Sequence, residues 1–309
     1  MNDPYGVHLT YDANGNIKTL IRNTLNRTFT HGGGTATGTE MDNMTYTYPN
    51  RTTDYNGKAQ KTNNRLGHVV DAALKEAGLG DIGTQSTGNY TYDSKGRITA
   101  DESSGITLLE WTVYDKVKKI SKSNGTVVEF TYNSKQQRQT KKVAPIGVNT
   151  AITTIYSYDA SGILMATYEQ SYNTGSSTWE YKLNEQEIYG LSRLGSYAVN
   201  EVLRGTASPA SNAAAKLRFE ISDHLGSVRA VVSGVKDASN SPTILSLTDY
   251  TDFGMQMQGR SFTSEAYRYG YQGSEKDNET FAGAYTTEFR MLDVRLGRWF
   301  SPDQRTKFN

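Results

Sequence analysis

Thr91-Tyr92-Asp93-Ser94-Lys95-Gly96-Arg97-Ile98 occurs again, with small changes, as Thr10-Tyr11-Asp12-Ala13-Asn14-Gly15-Asn16-Ile17 and as Ser157-Tyr158-Asp159-Ala160-Ser161-Gly162-Ile163-Leu164. Worn copies read Val113-Tyr114-Asp115-Lys116-Val117-Lys118-Lys119-Ile120 and Thr131-Tyr132-Asn133-Ser134-Lys135-Gln136-Gln137-Arg138, with a further degenerate one between Thr47-Tyr48 and Arg65-Leu66. Tyr92, Tyr114, Tyr132 and Tyr158 are spaced by 22, 18 and 26 residues, which is one hairpin per unit. Residues alternate up to the Tyr, as in Val128-Glu129-Phe130-Thr131-Tyr132, and then Asp or Asn followed by Gly makes a turn. An Asp carboxylate accepts from backbone amides two residues on, and Gly supplies the positive φ of a tight turn. Strands such as Arg97-Ile98-Thr99-Ala100 return the chain, and looser turns at Ser103-Ser104-Gly105 or Ser123-Asn124-Gly125 send it forward again. One hairpin alone is marginal in water, so the units must pair edge to edge. The expected fold class is all-β.

Composition agrees. The 309 residues include 21 Tyr and 29 Gly against 6 Pro, which suits pleated strands joined by tight turns. With 36% apolar residues the chain is too polar for a thick aliphatic core, and with 11% aromatic residues it is too aromatic for a disordered one. The 33 basic and 32 acidic residues leave a formal charge of +1, which gives no electrostatic footprint for nucleic acid or an anionic membrane. Zero Cys excludes disulfides, thiolate nucleophiles and Cys-type zinc sites. No apolar run is long enough for a membrane span. Met1-Asn2-Asp3-Pro4-Tyr5-Gly6 has neither the basic nor the apolar region of a signal peptide, and Tyr11 already belongs to a repeat, so the sequence reads as a fragment, a processed piece or the tail of something longer.

Three stretches break the rhythm. Residues 31 to 40, rich in Gly and Thr, are expected to form a flexible turn or loop. Residues 66 to 77 are expected to be a helical insert, since Leu66, Val69, Val70, Ala73, Leu74 and Ala77 share one helical face, Asp71 and Lys75 form an i,i+4 pair, and Gly78 caps the end. Residues 205 to 215 read as a polar loop.

The C-terminal third carries a second set of motifs. These are Glu187-Ile188-Tyr189-Gly190-Leu191-Ser192-Arg193-Leu194-Gly195, Ser222-Asp223-His224-Leu225-Gly226-Ser227-Val228-Arg229, Asp249-Tyr250-Thr251-Asp252-Phe253-Gly254, Tyr269-Gly270-Tyr271-Gln272-Gly273-Ser274-Glu275-Lys276-Asp277 and Arg290-Met291-Leu292-Asp293-Val294-Arg295-Leu296-Gly297-Arg298-Trp299-Phe300-Ser301-Pro302-Asp303. Repeats and motifs together resemble the RHS, or YD-repeat, proteins of bacteria, in a form like that of Bacteroidetes, related to the C components of insecticidal toxin complexes and to the teneurin extracellular region. The resemblance implies a spiral of β-hairpins wound into a curled sheet or hollow shell over residues 1–185, with a short helical insert near 66–78. It implies an RHS-associated core over 186–309 that plugs one end. In toxin-carrying members the shell encloses a C-terminal toxin that the core severs by aspartyl-type self-cleavage. Many relatives read Pro-Asp-Pro and then a Gly-containing cleavage motif, where this sequence has Pro302-Asp303-Gln304-Arg305 and ends at Asn309. The expectation is therefore a shell segment with neither toxin nor cleavage site. Some 16 expected strands at about 4.8 Å each close to a diameter of about 25 Å, too narrow for a folded toxin.

Candidate residues fall into three groups. The repeat positions are Tyr11, Asp12, Tyr92, Asp93, Tyr114, Asp115, Tyr132, Tyr158 and Asp159. The core-motif positions are Asp223, His224, Gly226, Arg229, Arg298 and Trp299, of which Asp223-His224 reads as half of a hydrolytic dyad or as the fixture of a turn, and Trp299 and Phe300 as anchors of the terminal strand. The resemblance assigns Asp277 and Asp293 as catalytic candidates for autoproteolysis. Two adjacent carboxylates cannot both ionise easily, so one would serve as acid and one as base. The alternative reading makes them turn residues, with Asp293 paired to Arg290 or Arg295. His8, His31, His68 and His224 lack metal-ligand spacing, Gly190-Leu191-Ser192-Arg193-Leu194-Gly195 lacks the spacing of a nucleophile elbow, and Gly32-Gly33-Gly34 lacks the Lys of a phosphate loop, so no metal and no cofactor is expected. The Tyr stripes either stack on sugars or form cross-strand Tyr ladders. Three functions follow: a structural shell partnered by upstream repeats or a C-terminal cargo, a secreted or cell-surface adhesion module docking a carbohydrate, a protein or a secretion machinery, and a self-cleaving core.

Overall fold

The repeated octet builds the same turn each time. In the computed structural model, which describes residues 6–25, 38–49, 64–73, 82–147, 149–199, 201–204, 216–264 and 266–303, Asp93 N–H donates to Arg97 O and Gly96 N–H to Asp93 O, at 3.0 and 3.1 Å. The same two bonds form at the turns starting on Asp12, Thr112, Asn133, Asp159, Asp223 and Thr251. The opening side chain accepts the amide four residues on, at 2.9 Å in Asp12, 3.0 Å in Asn133 and 2.9 Å in Asp223. The fourth residue of each turn is left-handed, with φ of 80° at Gly15, 84° at Gly96, 101° at Gly162 and 81° at Gly226. This is a three-residue hairpin loop with a bulge, which explains the Asp-x-x-Gly spacing.

The strands between these turns pair antiparallel in three sheets. β1 (Val7–Tyr11), β2 (Ile17–Leu25), β3 (Gly38–Thr47) and β4 (His68–Asp71) form a first sheet. A long sheet follows. It runs through β5 (Tyr90–Tyr92), β6 (Ile98–Asp101), β7 (Ile106–Trp111), β8 (Val117–Lys122), β9 (Val127–Tyr132), β10 (Arg138–Ala144), β11 (Ile152–Tyr158), β12 (Leu164–Asn173), β13 (Thr178–Tyr189) and β14 (Arg193–Tyr197), and on to β16 (Leu217–Ser222), β17 (Val228–Lys236), β18 (Pro242–Tyr250) and β19 (Gln256–Thr263), with β15 (Glu201–Arg204) pairing β13. Residue 186 lies inside β13. A small sheet of β20 (Glu275–Lys276), β21 (Ala284–Thr286), β22 (Met291–Asp293) and β23 (Arg298–Trp299) closes the described chain.

This small sheet is the plug. Phe281, Ala284, Met291, Leu296 and Phe300 share one apolar core with Ile17, Leu20 and Met44 of the first sheet and with Ile98, Ile106, Leu109, Val117, Ile120 and Val128 of the long one. Tyr285, Leu292 and Val294 pack with Met41 and Met255 on another side. Strands from β2 round to the β18–β19 turn thus present inward residues to one segment, and β19 comes alongside β2. The sheet curves around the plug, and each fully buried aliphatic side chain in that core is worth about 1.5–3 kcal/mol.

Two expectations change. The stretch from residue 66 is not a helix: His68–Asp71 is a strand paired to Tyr46, Thr45 and their neighbours, with Val69 buried and Val70 exposed. The β-branched pair Val69-Val70 suits a pleated strand, and the apolar face that Leu66 and Val69 share with β3 outweighs the helical spacing. Residues 74–78 of that expected helix lie outside the described residues. In the expected loop at 31–40, residues 38–40 already belong to β3; the rest, and the loop at 205–215, lie outside the described residues.

Candidate functional site

Within each repeat the aromatic residue before the turn clasps its predecessor. Tyr132 hydroxyl donates to Val117 O at 2.6 Å, Tyr158 to Arg138 O at 2.8 Å, Tyr189 to Leu164 O at 2.9 Å, Tyr250 to Val228 O at 2.9 Å, Tyr48 to Ile17 O at 2.9 Å and Tyr92 to Leu66 O at 3.0 Å. Trp111 Nε1–H makes the same bond to Ile98 O at 2.7 Å. The third copy is therefore offset from its sequence reading. Trp111-Thr112 stands where Tyr-Asp stands elsewhere, Asp115 occupies the left-handed position of Gly with φ 59°, and Tyr114 is exposed. A Thr hydroxyl that accepts the Lys116 amide at 3.1 Å does the work of the missing Asp. Tyr48, Tyr92, Tyr132, Tyr158, Tyr189 and Tyr250 thus serve as clasps between turns. Burial raises Tyr92, Tyr132 and Tyr158 to about 12, keeping them as donors.

Apart from Leu66, which lies just before β4, each acceptor carbonyl belongs to the first residue of the returning strand, which points inward. That position holds Ile17, Ile98, Val117, Leu164 and Val228, but in one repeat it holds Arg138. A register shift between Arg138 and Thr140 turns both Arg138 and Lys141 inward. Arg138 grips Asp277 with two hydrogen bonds of 3.1 and 2.9 Å, adds Glu275 at 3.2 Å and Thr286 at 2.8 Å, and stacks over Phe130. Lys141 Nζ reaches Glu279 at 3.1 Å and Asp277 at 3.4 Å. Burial alone would raise the Asp277 carboxyl, but Arg138 and Lys141 outweigh it and hold the group at about 2.

Three more ties bind plug to wall. Arg22 on β2, 1% exposed, pairs with Asp42 at 2.8 Å and donates to Arg295 O at 2.8 Å and Val294 O at 3.4 Å. Arg295 holds Asp293 through bonds of 2.9 and 2.7 Å and donates to Ser104 in the β6–β7 turn at 3.0 Å. Arg268 joins Glu185 at 2.6 Å, Glu275 at 2.9 Å and Thr167 at 3.1 Å, and Tyr156 donates to Glu275 at 2.7 Å.

Asp277 and Asp293 flank β21. Asp277 N–H donates to Ala284 O, and Ala284 pairs with Asp293, so the two residues stand two strand spacings, about 10 Å, apart. Each carboxylate faces its own arginine. Asp277 is gripped by Arg138 and Asp293 by Arg295, so each carboxylate is engaged by a guanidinium rather than by the other carboxylate.

The remaining motif residues are structural in placement. Asp223 opens a turn and accepts Leu225 N–H at 3.0 Å; His224 is exposed beside it; Gly226 supplies the left-handed residue; and Arg229 pairs with Asp249. Arg298 donates to Tyr48 Oη and Asn64 O, both at 2.8 Å, while Arg290 stacks over Trp299. Among the described residues no group of three or more His, Cys, Asp or Glu side chains is placed to hold a metal, and no helix is long and apolar enough to cross a membrane. A cavity of about 380 Å³ between Tyr90, Tyr92, Trp299 and Pro302 has the size of a small molecule and not of a folded domain.

Sequence reading missed Arg22, Arg138, Arg193, Arg268, Glu185 and Glu187. For Arg138 a signal exists: it is the one charged residue at a position that is aliphatic in the neighbouring repeats.

A curled antiparallel meander of clasped hairpins, closed by an ion-paired plug, defines a shell-type β fold. No family model and no curated protein matches the chain. Solved structures do. It superposes on a chain of TcdB2-TccC3 with a TM-score of 0.57 at 17% identity over 97% of its length. It also matches a chain of a Photorhabdus luminescens Tc holotoxin pore with a TM-score of 0.54 at 16% identity over 98%. The chain spans 14% of the length of each of those chains. It has the fold of a segment of a toxin-complex chain.

Proposed function

We propose that the chain is a wall-and-plug segment of a secreted bacterial shell of the RHS type, acting as a scaffold and not as an enzyme. The observation that carries this reading is the placement of residues 275–300 on the inner side of the sheet, tied there by Arg22 and Arg138 from the wall. A plug held by buried ion pairs closes a shell and resists expulsion. The cargo of such a shell belongs to the longer protein, since the interior of this segment is filled by its own plug. Asp277 and Asp293 serve in this reading as anchors of the plug.

The test uses the gene's full product. In it, a segment beyond this chain that resists protease while attached, and is digested when expressed alone, supports the shell. Equal digestion in both forms contradicts it. Asp277→Asn and Asp293→Asn in that product should leave any processing unchanged while lowering stability; an uncut precursor in both would restore the self-cleaving reading.

A further inference from the structure

The cavity of about 380 Å³ lies at the seam between wall and plug, with Leu66, Tyr92 and Ile98 on the wall side and Leu296, Trp299 and Phe300 on the plug side. Its lining is therefore largely aliphatic and aromatic. The charges that border it are unevenly matched. Asp293 is held by Arg295 at 2.9 and 2.7 Å, and Arg290, stacked over Trp299, pairs with Asp303 at 3.1 Å. Arg298 is different. Among the described residues it pairs with no carboxylate: one Nη donates to Tyr48 Oη and the other to Asn64 O, both neutral acceptors at 2.8 Å. Those two bonds leave most of the N–H donors of the guanidinium unspent. The charged end of Arg298, and not only its stem, reaches the cavity. Its acceptor Asn64 is a lining residue, and its charge acts on the phenol of Tyr92, whose hydroxyl donates to Leu66 O at 3.0 Å between two further lining residues. Ser301 lines the same space, is 4% exposed, and has a buried hydroxyl with no hydrogen-bond partner among the described residues. A guanidinium without a counterion beside an apolar cavity is a receptor for an anion that carries an apolar body.

We propose that this cavity binds small aromatic carboxylates, with the carboxylate on Arg298, the ring against the apolar walls and Ser301 as a second polar contact. One unmatched positive charge fits a monoanion, and the planar fork of the guanidinium fits the two oxygens of a carboxylate. A phosphate dianion would bring more charge than Arg298 offsets, and a neutral ring compound would leave the guanidinium without an anion. The proposal concerns the seam itself and does not depend on what the shell encloses.

Naphthoate is titrated into the full chain and followed by its fluorescence, with the neutral naphthamide as the comparison. Naphthoate should bind saturably with a Kd on the order of 10⁻⁴ M, and naphthamide about tenfold more weakly. Equal affinities for the two, or no saturation by naphthoate at millimolar concentration, overturn the proposal. Arg298→Gln should weaken naphthoate to the level of naphthamide while leaving naphthamide unchanged; an unaltered preference for the carboxylate overturns it. Hydrogen exchange on the native chain locates the site without any variant. Ile98 N–H donates to Phe300 O across the seam and Phe300 N–H to Met291 O, each at 3.0 Å, and naphthoate should slow both amides. Protection confined to other strands overturns the assignment.

Discussion

Glu187 concentrates the electrostatic tension of the molecule. It is buried on β13, accepts Tyr269 Oη–H at 2.7 Å, and leaves its second oxygen without a hydrogen-bond partner. Burial first, then the nearby Glu185 carboxylate, raise it to about 7. Arg193, which faces it from β14, is committed to Glu220 at 2.8 Å, and Arg268 to Glu185 and Glu275. Because the folded pKa is raised, the native state binds the extra proton between pH about 4.5 and about 7, and stability falls as pH rises through that window. Glu187→Gln should abolish this slope and stabilise the protein at pH 8 by on the order of 2 kcal/mol, read by denaturant unfolding at pH 5 and 8. An unchanged slope would contradict it. Asp277 has the opposite sign. Its depressed carboxyl contributes stability that is complete above about 3.8 and is lost as pH falls toward about 2. Asp277→Ala removes the two-bond partner of Arg138, leaving it Glu275 and leaving Lys141 Glu279, and should cost about 3 kcal/mol, whereas a joint apolar replacement of Arg138 and Asp277 should cost less. Equal costs for the two would argue against the ion-pair lock.

At the scale of the element, the turn and its clasp form one device. Tyr132→Phe should cost about 1 kcal/mol by leaving Val117 O without its donor, measured by thermal unfolding; a neutral effect would show that the clasp contributes nothing. Gly195 is a sharper case. A Cβ there would sit 1.9 Å from Arg218 O on the facing strand, so Gly195→Ala should break the β14–β16 pairing and cost about 3 kcal/mol or more. Much of this was legible. Tyr92-Asp93 with Gly96 announces its turn because the side-chain chemistry of that turn is local. The third copy misled because Trp111-Thr112 builds the same turn with different letters, while Tyr114-Asp115 spells the motif out of register. The helical spacing from Leu66 to Ala77 misled for another reason: Val69 takes its place from pairing with Tyr46, a contact no local period records.

For the whole molecule, the C-terminal motifs were readable as a unit, but not where they go. That residues 275–300 lie inside depends on Arg22, which reaches Arg295 O across 273 positions of sequence, and on Arg138, whose inward placement follows a register shift in β10. A chain of +1 net charge reads as bland, yet its cations and anions are paired across the plug boundary. Native-state hydrogen exchange tests this placement directly. If the plug is locked inside the curled sheet, amides of Tyr285, Leu292 and Asp293 should exchange as slowly as those of Ile120 and Val128 in the surrounding wall, and Asp277→Ala should accelerate the plug amides first. Plug amides that exchange as fast as the exposed β12–β13 turn at Asn173–Ser177 would contradict the account.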